Sequence, residues 1–288
     1  MPCNYEERGK YEFFEKIDEY MNYEILADQN GISINSDLDC NFDSYNYAEN
    51  YHMLCEVCKK FIYLVDLLLN DEARTTSNES YDLDYLNYSF NDKLNKIDPE
   101  NICKKDFFQN LMSKISNNSN LRKLRRRIYD IEEREFQSLN TLYNLYDNFN
   151  KLNNKIKENN PKLEECITYA KNCIKEYKKL NKSCTKDGAN FCKILSNFKI
   201  KYDAIDLCKY TFEGKKRKKL PSLESDLNKE AEVCEDSVID TDGPSSQDRS
   251  GYSERDEGSF DIDTQSITIG TVATIGISLP LDNSYVLK

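Results

Sequence analysis

Cys166-Ile-Thr-Tyr-Ala-Lys-Asn-Cys173-Ile-Lys-Glu-Tyr-Lys-Lys-Leu-Asn-Lys-Ser-Cys184 is the stretch that decides the class of fold. Leu163, Cys166, Ile167, Ala170, Cys173, Ile174, Tyr177 and Leu180 recur at helical spacing and fall on one stripe of an α-helix. Two of those positions are cysteines, and Cys184 and Cys192 follow soon after. Cysteine this dense on helices, rather than in short paired metal knuckles, points to an oxidising compartment and a helical ectodomain held by disulfides.

Working outward, Leu121 to Lys157 contains no Gly or Pro. Leu121, Leu124, Ile128, Ile131, Phe136, Leu139, Leu142, Leu145, Phe149, Leu152 and Ile156 recur through it at helical spacing. The pattern predicts one long helix ended by Asn159-Asn160-Pro161, forming an antiparallel hairpin with the cysteine helix around that proline. Residues 189 to 212 supply a last core helix through Phe191, Ile194, Leu195, Phe198, Tyr202, Ile205 and Cys208. Leu142, Leu145, Phe149, Ile167, Ile174 and Phe198 are the expected centre of the bundle. Toward the N-terminus, residues 11 to 26 and 47 to 70 read as helices, the second largely buried. The turn-rich Asp28-Gln-Asn-Gly-Ile-Ser-Ile-Asn-Ser-Asp37 between them reads as a loop. Residues 81 to 95 and 103 to 116 read as two shorter helices, the latter preceded by Asp98-Pro99-Glu100.

Composition agrees with an all-α class. The chain of 288 residues has 39% hydrophobic residues but only 9 Gly and 6 Pro, too few turn residues for an all-β protein. Its 40 Lys+Arg against 51 Asp+Glu leave a net charge of −11, which argues against a general nucleic-acid binder. The N-terminal Met-Pro-Cys-Asn-Tyr-Glu-Glu-Arg-Gly-Lys interrupts with charges the apolar core that a cleavable secretory signal needs. The sequons at Asn78, Asn87, Asn117 and Asn181 are expected by chance in so Asn-rich a chain.

The cysteines number 11. Cys3, Cys40, Cys55, Cys58, Cys103, Cys166, Cys173, Cys184, Cys192 and Cys208 are the candidate disulfide cysteines, with at least one bridge expected to tie the hairpin to the last helix. An odd total leaves at least one thiol over, and Cys234 is the candidate because it lies in a polar stretch. The expected organisation is a disulfide-containing helical-bundle ectodomain at 1–212 and a basic cluster with a disordered acidic linker at 213–265. A short apolar, membrane-like segment and tail at 266–288 completes it. Ile267 to Leu281 would make a helix of about 22 Å at roughly 1.5 Å per residue, against about 30 Å of bilayer hydrocarbon. By itself it is not expected to span stably, with Pro280 and Asp282 weakening it further.

Candidate chemistry is thin. His52-Met-Leu-Cys55-Glu-Val-Cys58 has metal-ligand spacing, but it lies on an apolar helix and His52 is the sole histidine, so a zinc site would need a distant ligand. The cysteines read instead as packing or disulfide residues. No Gly-rich phosphate loop, nucleophile elbow or metalloprotease motif occurs, so no catalytic residue, cofactor or metal is assigned. Arg122-Lys-Leu-Arg-Arg-Arg127 has the charge to meet a sulfated glycan or phospholipid, yet reads first as the solvated face of an amphipathic helix. Lys215 to Lys219 reads as a solvated terminus that suits a helix dipole.

Tyr85-Leu-Asn-Tyr-Ser-Phe-Asn-Asp-Lys-Leu94 resembles the Tyr-Leu-Asn-Tyr-Trp-Leu-Asn-Asp-Lys-Leu element of the Plasmodium interspersed repeat proteins, the Vir-type variant antigens, with Ser89 in place of tryptophan. Leu142-Tyr-Asn-Leu-Tyr-Asp-Asn-Phe149 is similar to that family's Leu-Tyr-Asp-Tyr-Tyr-like helix. The series Cys166, Cys173, Cys184, then Phe191-Cys192-Lys-Ile-Leu-Ser-Asn-Phe198, resembles its C-terminal cysteine helices. The resemblance covers roughly residues 3 to 210 and implies an ectodomain, an acidic linker, one membrane helix and a short tail. The ending Asp282 to Lys288 departs from that pattern. What the resemblance implies is a non-enzymatic variant surface antigen at the parasite or infected red-cell membrane, serving antigenic variation, immune evasion and adhesion, with a host receptor or immune ligand as partner. The competing class is an intracellular helical scaffold with reduced cysteines.

Overall fold

Helix-forming sequence runs through most of the chain, and eight α-helices form among the described residues. The computed structural model describes residues 3–6, 10–40, 42, 50–70, 78–98, 102–184, 190–212 and 217–235. The helices are α1 (Ile17–Ile34), α2 (Tyr51–Leu69), α3 (Glu79–Asn95), α4 (Lys104–Lys114), α5 (Ser119–Lys123), α6 (Glu133–Ile156), α7 (Leu163–Asn181) and α8 (Asn190–Asp203). A 3-10 turn, Glu12–Lys16, leads into α1, and two short strands, β1 (Tyr5–Glu6) and β2 (Asp130–Ile131), pair in parallel.

Two antiparallel helix pairs carry the architecture. In the first, α6 and α7 lie side by side, with Asn172 donating to Asn148 at 3.1 Å and Lys155 paired with Glu165 at 2.9 Å across the turn at Pro161. Leu142, Leu145, Ile174 and Phe198 are buried as the periodicity predicts, and Phe149 is buried against the edge of Phe198. Ile167 is a correction: it is only partly buried at the edge of the core. In the second pair, α1 and α2 approach so closely that a Cβ at Gly31 would lie 2.7 Å from the Lys60 Cα. That contact explains why α1 runs on through the turn-rich residues expected to form a loop. Glycine there lets two backbones meet, and Asn35 finishes the helix by donating to the Lys59 carbonyl at 2.8 Å.

Helix α3 is buried nearly all round, and its polar side chains are structural. Asn91 donates to the Tyr129 carbonyl at 3.0 Å and accepts from the Ile131 amide at 3.1 Å, while Asn87 accepts from the Tyr129 amide at 3.0 Å. The two carboxamides therefore act as a strand partner for residues 129–131. Asp130, 1% exposed, accepts from the amides of Lys104 and Lys105 at 2.7 and 3.2 Å and so supplies the N-terminal cap of α4 from a distance. Here the expectation of one helix from Leu121 to Lys157 fails. The backbone at 129–131 is extended, and α6 restarts at Glu133 with Glu132 accepting from the Glu135 amide. Leu121, Leu124 and Ile128 keep their buried positions without helical continuity.

The polar stretch after the last helix is also corrected. Residues 217–235 pack on the bundle: Leu223 is fully buried, Tyr202 donates to the Pro221 carbonyl at 2.8 Å, and Lys178 donates to the Ser225 carbonyl at 2.6 Å. The folded part thus extends past 212 to about 235, because Leu223, the hydrogen bonds from Tyr202 and Lys178, and a disulfide hold a segment whose composition reads as linker. Residues 236–288, including the apolar segment 267–281, lie outside the described residues. Among those described, no helix is long and apolar enough to cross a membrane.

Replacing Asn91 with Ala strands the Tyr129 carbonyl and the Ile131 amide in the interior. At roughly 1–3 kcal/mol for each buried group left unsatisfied, Asn91→Ala is expected to cost about 2–6 kcal/mol in a urea titration. A loss below about 0.5 kcal/mol, the range of an ordinary surface substitution, would mean these bonds do not hold the strand.

Candidate functional site

Helix α1 places one charged residue inside its apolar stripe. Ile17, Tyr20, Met21 and Ala27 face the core, and Glu24, on the same stripe, is carried inward with them. Helix α3 answers with Tyr85, Ser89 and Lys93, each about one helical turn beyond the last and hence on one face. The Tyr85 hydroxyl donates to Glu24 Oε2, the Ser89 hydroxyl donates to Glu24 Oε1 at 3.1 Å, and the Lys93 ammonium reaches Glu24 Oε1 at 2.9 Å. Lys93 also donates to both oxygens of Asp28, at 3.3 and 3.2 Å. Below this group the Tyr20 and Tyr85 rings stack at 4.4 Å, and Tyr20 donates to Asp82 at 2.8 Å.

Electrostatics fix the protons. Burial, reinforced by the Glu24 charge, pushes the Tyr85 phenol far above its ordinary value, so it stays a donor. Burial works against the Lys93 ammonium, but Glu24 and Asp28 outweigh it and hold its pKa above the usual lysine value.

Glu24, Ser89 and Lys93 of this group form the polar end of a cavity of about 260 Å³ between α1, α2 and α3. Ala27 of α1, Met53, Val57, Phe61 and Leu64 of α2, and Ile97 just past α3 form its apolar wall. Asp28, Glu56, Lys60 and Lys96 are the other charged residues lining it. An apolar wall with a few convergent polar groups is the composition of a ligand-binding cavity.

The sequence-predicted cysteines go elsewhere. The structure pairs Cys3 with Cys103, Cys40 with Cys58, Cys184 with Cys192 and Cys208 with Cys234. Cys184–Cys192 joins the end of the hairpin to α8, the connection expected there. Cys234 is not the leftover thiol, because the ordered turn at 217–235 brings it back to Cys208, with its amide donating to the Arg217 carbonyl at 3.0 Å. The free thiols are Cys55, Cys166 and Cys173. Cys166 and Cys173 pack as apolar residues of the α7 stripe, and burial raises their thiols to about 11 and about 12. Cys55 is half-buried and donates to the Cys40 carbonyl at 2.9 Å.

The structure does not assemble the His52, Cys55, Cys58 spacing into a ligand set, since Cys58 is bridged to Cys40 and His52 is exposed with its ring edge-on to Tyr51. Cys3, Cys103 and Asp130 do converge, their sulfurs and carboxylate lying within 4.8 Å of one another, but the sulfurs are bonded together and Asp130 caps α4. The basic run Arg122 to Arg127 has its charged side chains exposed, and the Arg122 guanidinium donates to the Ser116 carbonyl at 2.7 Å. Asn87, one of the sequon asparagines, is buried with its carboxamide engaged, so it presents no glycan acceptor in the folded protein.

Comparison with models of protein families, with curated proteins and with solved structures returned no match.

Thiol reactivity should follow the burial. Brief alkylation of the native protein with iodoacetamide at pH 8 is expected to label Cys55 alone, since Cys166 and Cys173 are buried with thiols raised to about 11 and 12. All three should react once denaturant is added. Native labelling of Cys173 as fast as Cys55 would contradict the packing of α7 on α6.

Proposed function

We propose that this chain is a non-enzymatic variant surface antigen of the Plasmodium interspersed repeat type, a display domain serving antigenic variation, immune evasion and adhesion of infected red cells. The observation that carries this reading is the disulfide pattern. Eight of the 11 cysteines are bridged, as suits a protein that matures in an oxidising compartment. The bridges span sequence separations from 8 to 100 residues. In the chain-entropy account they restrain the unfolded state by about 2.5 to 4.7 kcal/mol each, the longest loop most.

The segments that carry the resemblance support the same reading from inside the molecule. Tyr85 to Leu94 supplies the buried centre of the bundle, and Leu142, Leu145, Tyr146 and Phe149 supply the hairpin seam. Cys184 and Cys192 supply a bridge. A scaffold specified by interior residues leaves the outer loops free to differ between relatives, which is what a varying displayed surface requires. Attachment through residues 267–281, and a host receptor or immune ligand as partner, belong to this same proposal.

The competing reading is a scaffold in a reducing compartment. A thiol titration of protein purified from its native source, denatured without reductant, separates the two. Three titratable thiols are expected; a count of 11 would overturn the antigen reading in favour of the reduced scaffold.

A further inference from the structure

The cavity between α1, α2 and α3 has no part in a display role. What it would accept follows from counting donors and acceptors at its polar end. The Tyr85 and Ser89 hydroxyls both spend their single proton on Glu24. Lys93 makes three contacts, one to Glu24 and two to Asp28, and so spends the three protons of an ammonium group. The donors are therefore used up, whereas acceptor capacity remains: a carboxylate has about four lone-pair positions, and Glu24 Oε2 takes one donor. The Ser89 oxygen also keeps lone pairs. A group entering this end must bring protons rather than receive them.

The charged lining is balanced, Glu24, Asp28 and Glu56 against Lys60, Lys93 and Lys96, so an entering ammonium shares Glu24 with Lys93. A carboxylate or phosphate against Glu24 meets like charge directly. Val57, Phe61 and Leu64 of α2 supply an apolar wall, which suits an apolar body. At about 260 Å³ the volume equals that of about nine waters at roughly 30 Å³ each, room for a ligand of one or two rings.

We propose that this cavity is a binding site for a small primary amine carried on an apolar body, its ammonium set against Glu24 and Ser89 and its body against α2. The site is independent of the antigen reading, and its failure would leave that reading untouched. Three probes of one shape and different head groups test it by calorimetry on the full chain at pH 7: tryptamine, tryptophol and indole-3-propionate. Tryptamine is expected to bind at least about ten-fold tighter than either of the others, as a bond to a charged partner implies. Glu24→Gln, which preserves shape but removes the charge and leaves one acceptor oxygen where there were two, should erase that preference. Ser89→Trp should abolish binding by filling the cavity. Should that variant fail to fold by circular dichroism, Met53→Trp, at an exposed position of the cavity lining, replaces it. Tryptamine binding no tighter than tryptophol, tighter binding of indole-3-propionate, no heat with tryptamine at millimolar concentration, or a preference that survives Glu24→Gln would each overturn the proposal.

Discussion

Two carboxamides on α3 hold the backbone of residues 129–131, and the placement of most of the molecule follows from that contact. Asn87 and Asn91 keep the strand extended. The strand then carries Asp130 to the start of α4, gives β1 an edge to pair with, and sets the angle at which α6 departs. Cys3 and Cys103 close the same node covalently, tying the N-terminal strand to the residue before α4. Each contact satisfies a backbone group that would otherwise be buried unpaired, so loss of one partner exposes the others to the same penalty.

Around this node the N-terminal 3-10 turn works as an aromatic wedge. Phe13 stacks on Tyr88 at 5.7 Å and Phe14 lies 5.8 Å from Tyr146, so one short segment touches both α3 and α6. Tyr11 reaches Phe191 of α8 at 5.5 Å. Helix α3 and the hairpin therefore share a core through residues that are adjacent in sequence. The disulfides staple the N-terminus to Cys103, Cys40 to α2, the end of α7 to α8, and the segment after α8 back onto Cys208.

The helices α2, α3, α4, α7 and α8 were legible because apolar periodicity and packing agree there, and the hairpin was legible from Pro161. The break at 129–131 was not. The apolar spacing runs through it without Gly or Pro, and what overrides that pattern is a pair of asparagines about forty positions earlier, a distance no local pattern spans. The continuation of α1 was hidden for a similar reason, since Gly31 and Asn30 read as turn residues until α2 is seen lying against them. Cys234 looked unpartnered because its stretch is polar, although Leu223 and the hydrogen bonds from Tyr202 and Lys178 hold that stretch on the bundle. The cavity left one signal: Glu24 occupies an apolar stripe position of α1, and a charge inside such a stripe announces a partner. That partner, Lys93 with Ser89 and Tyr85, lies on α3, 61 or more positions away in sequence, beyond the reach of any local pattern.

Bundle, bridges and cavity thus depend on α3, a helix that is polar in composition yet central in position. Apart from the buried Tyr88 hydroxyl, which has no hydrogen-bond partner among the described residues, its polar groups are tolerable in the interior because they are bonded, to the 129–131 backbone on one side and to Glu24 on the other. Amide hydrogen exchange read by NMR tests this most directly. The amides of Lys104, Tyr129 and Ile131, each held by a buried side chain, are predicted to exchange only through global unfolding, as slowly as the core of α6. Exchange of these three at the rate of exposed turns would contradict the account, and would mean that α3 does not organise the chain around it.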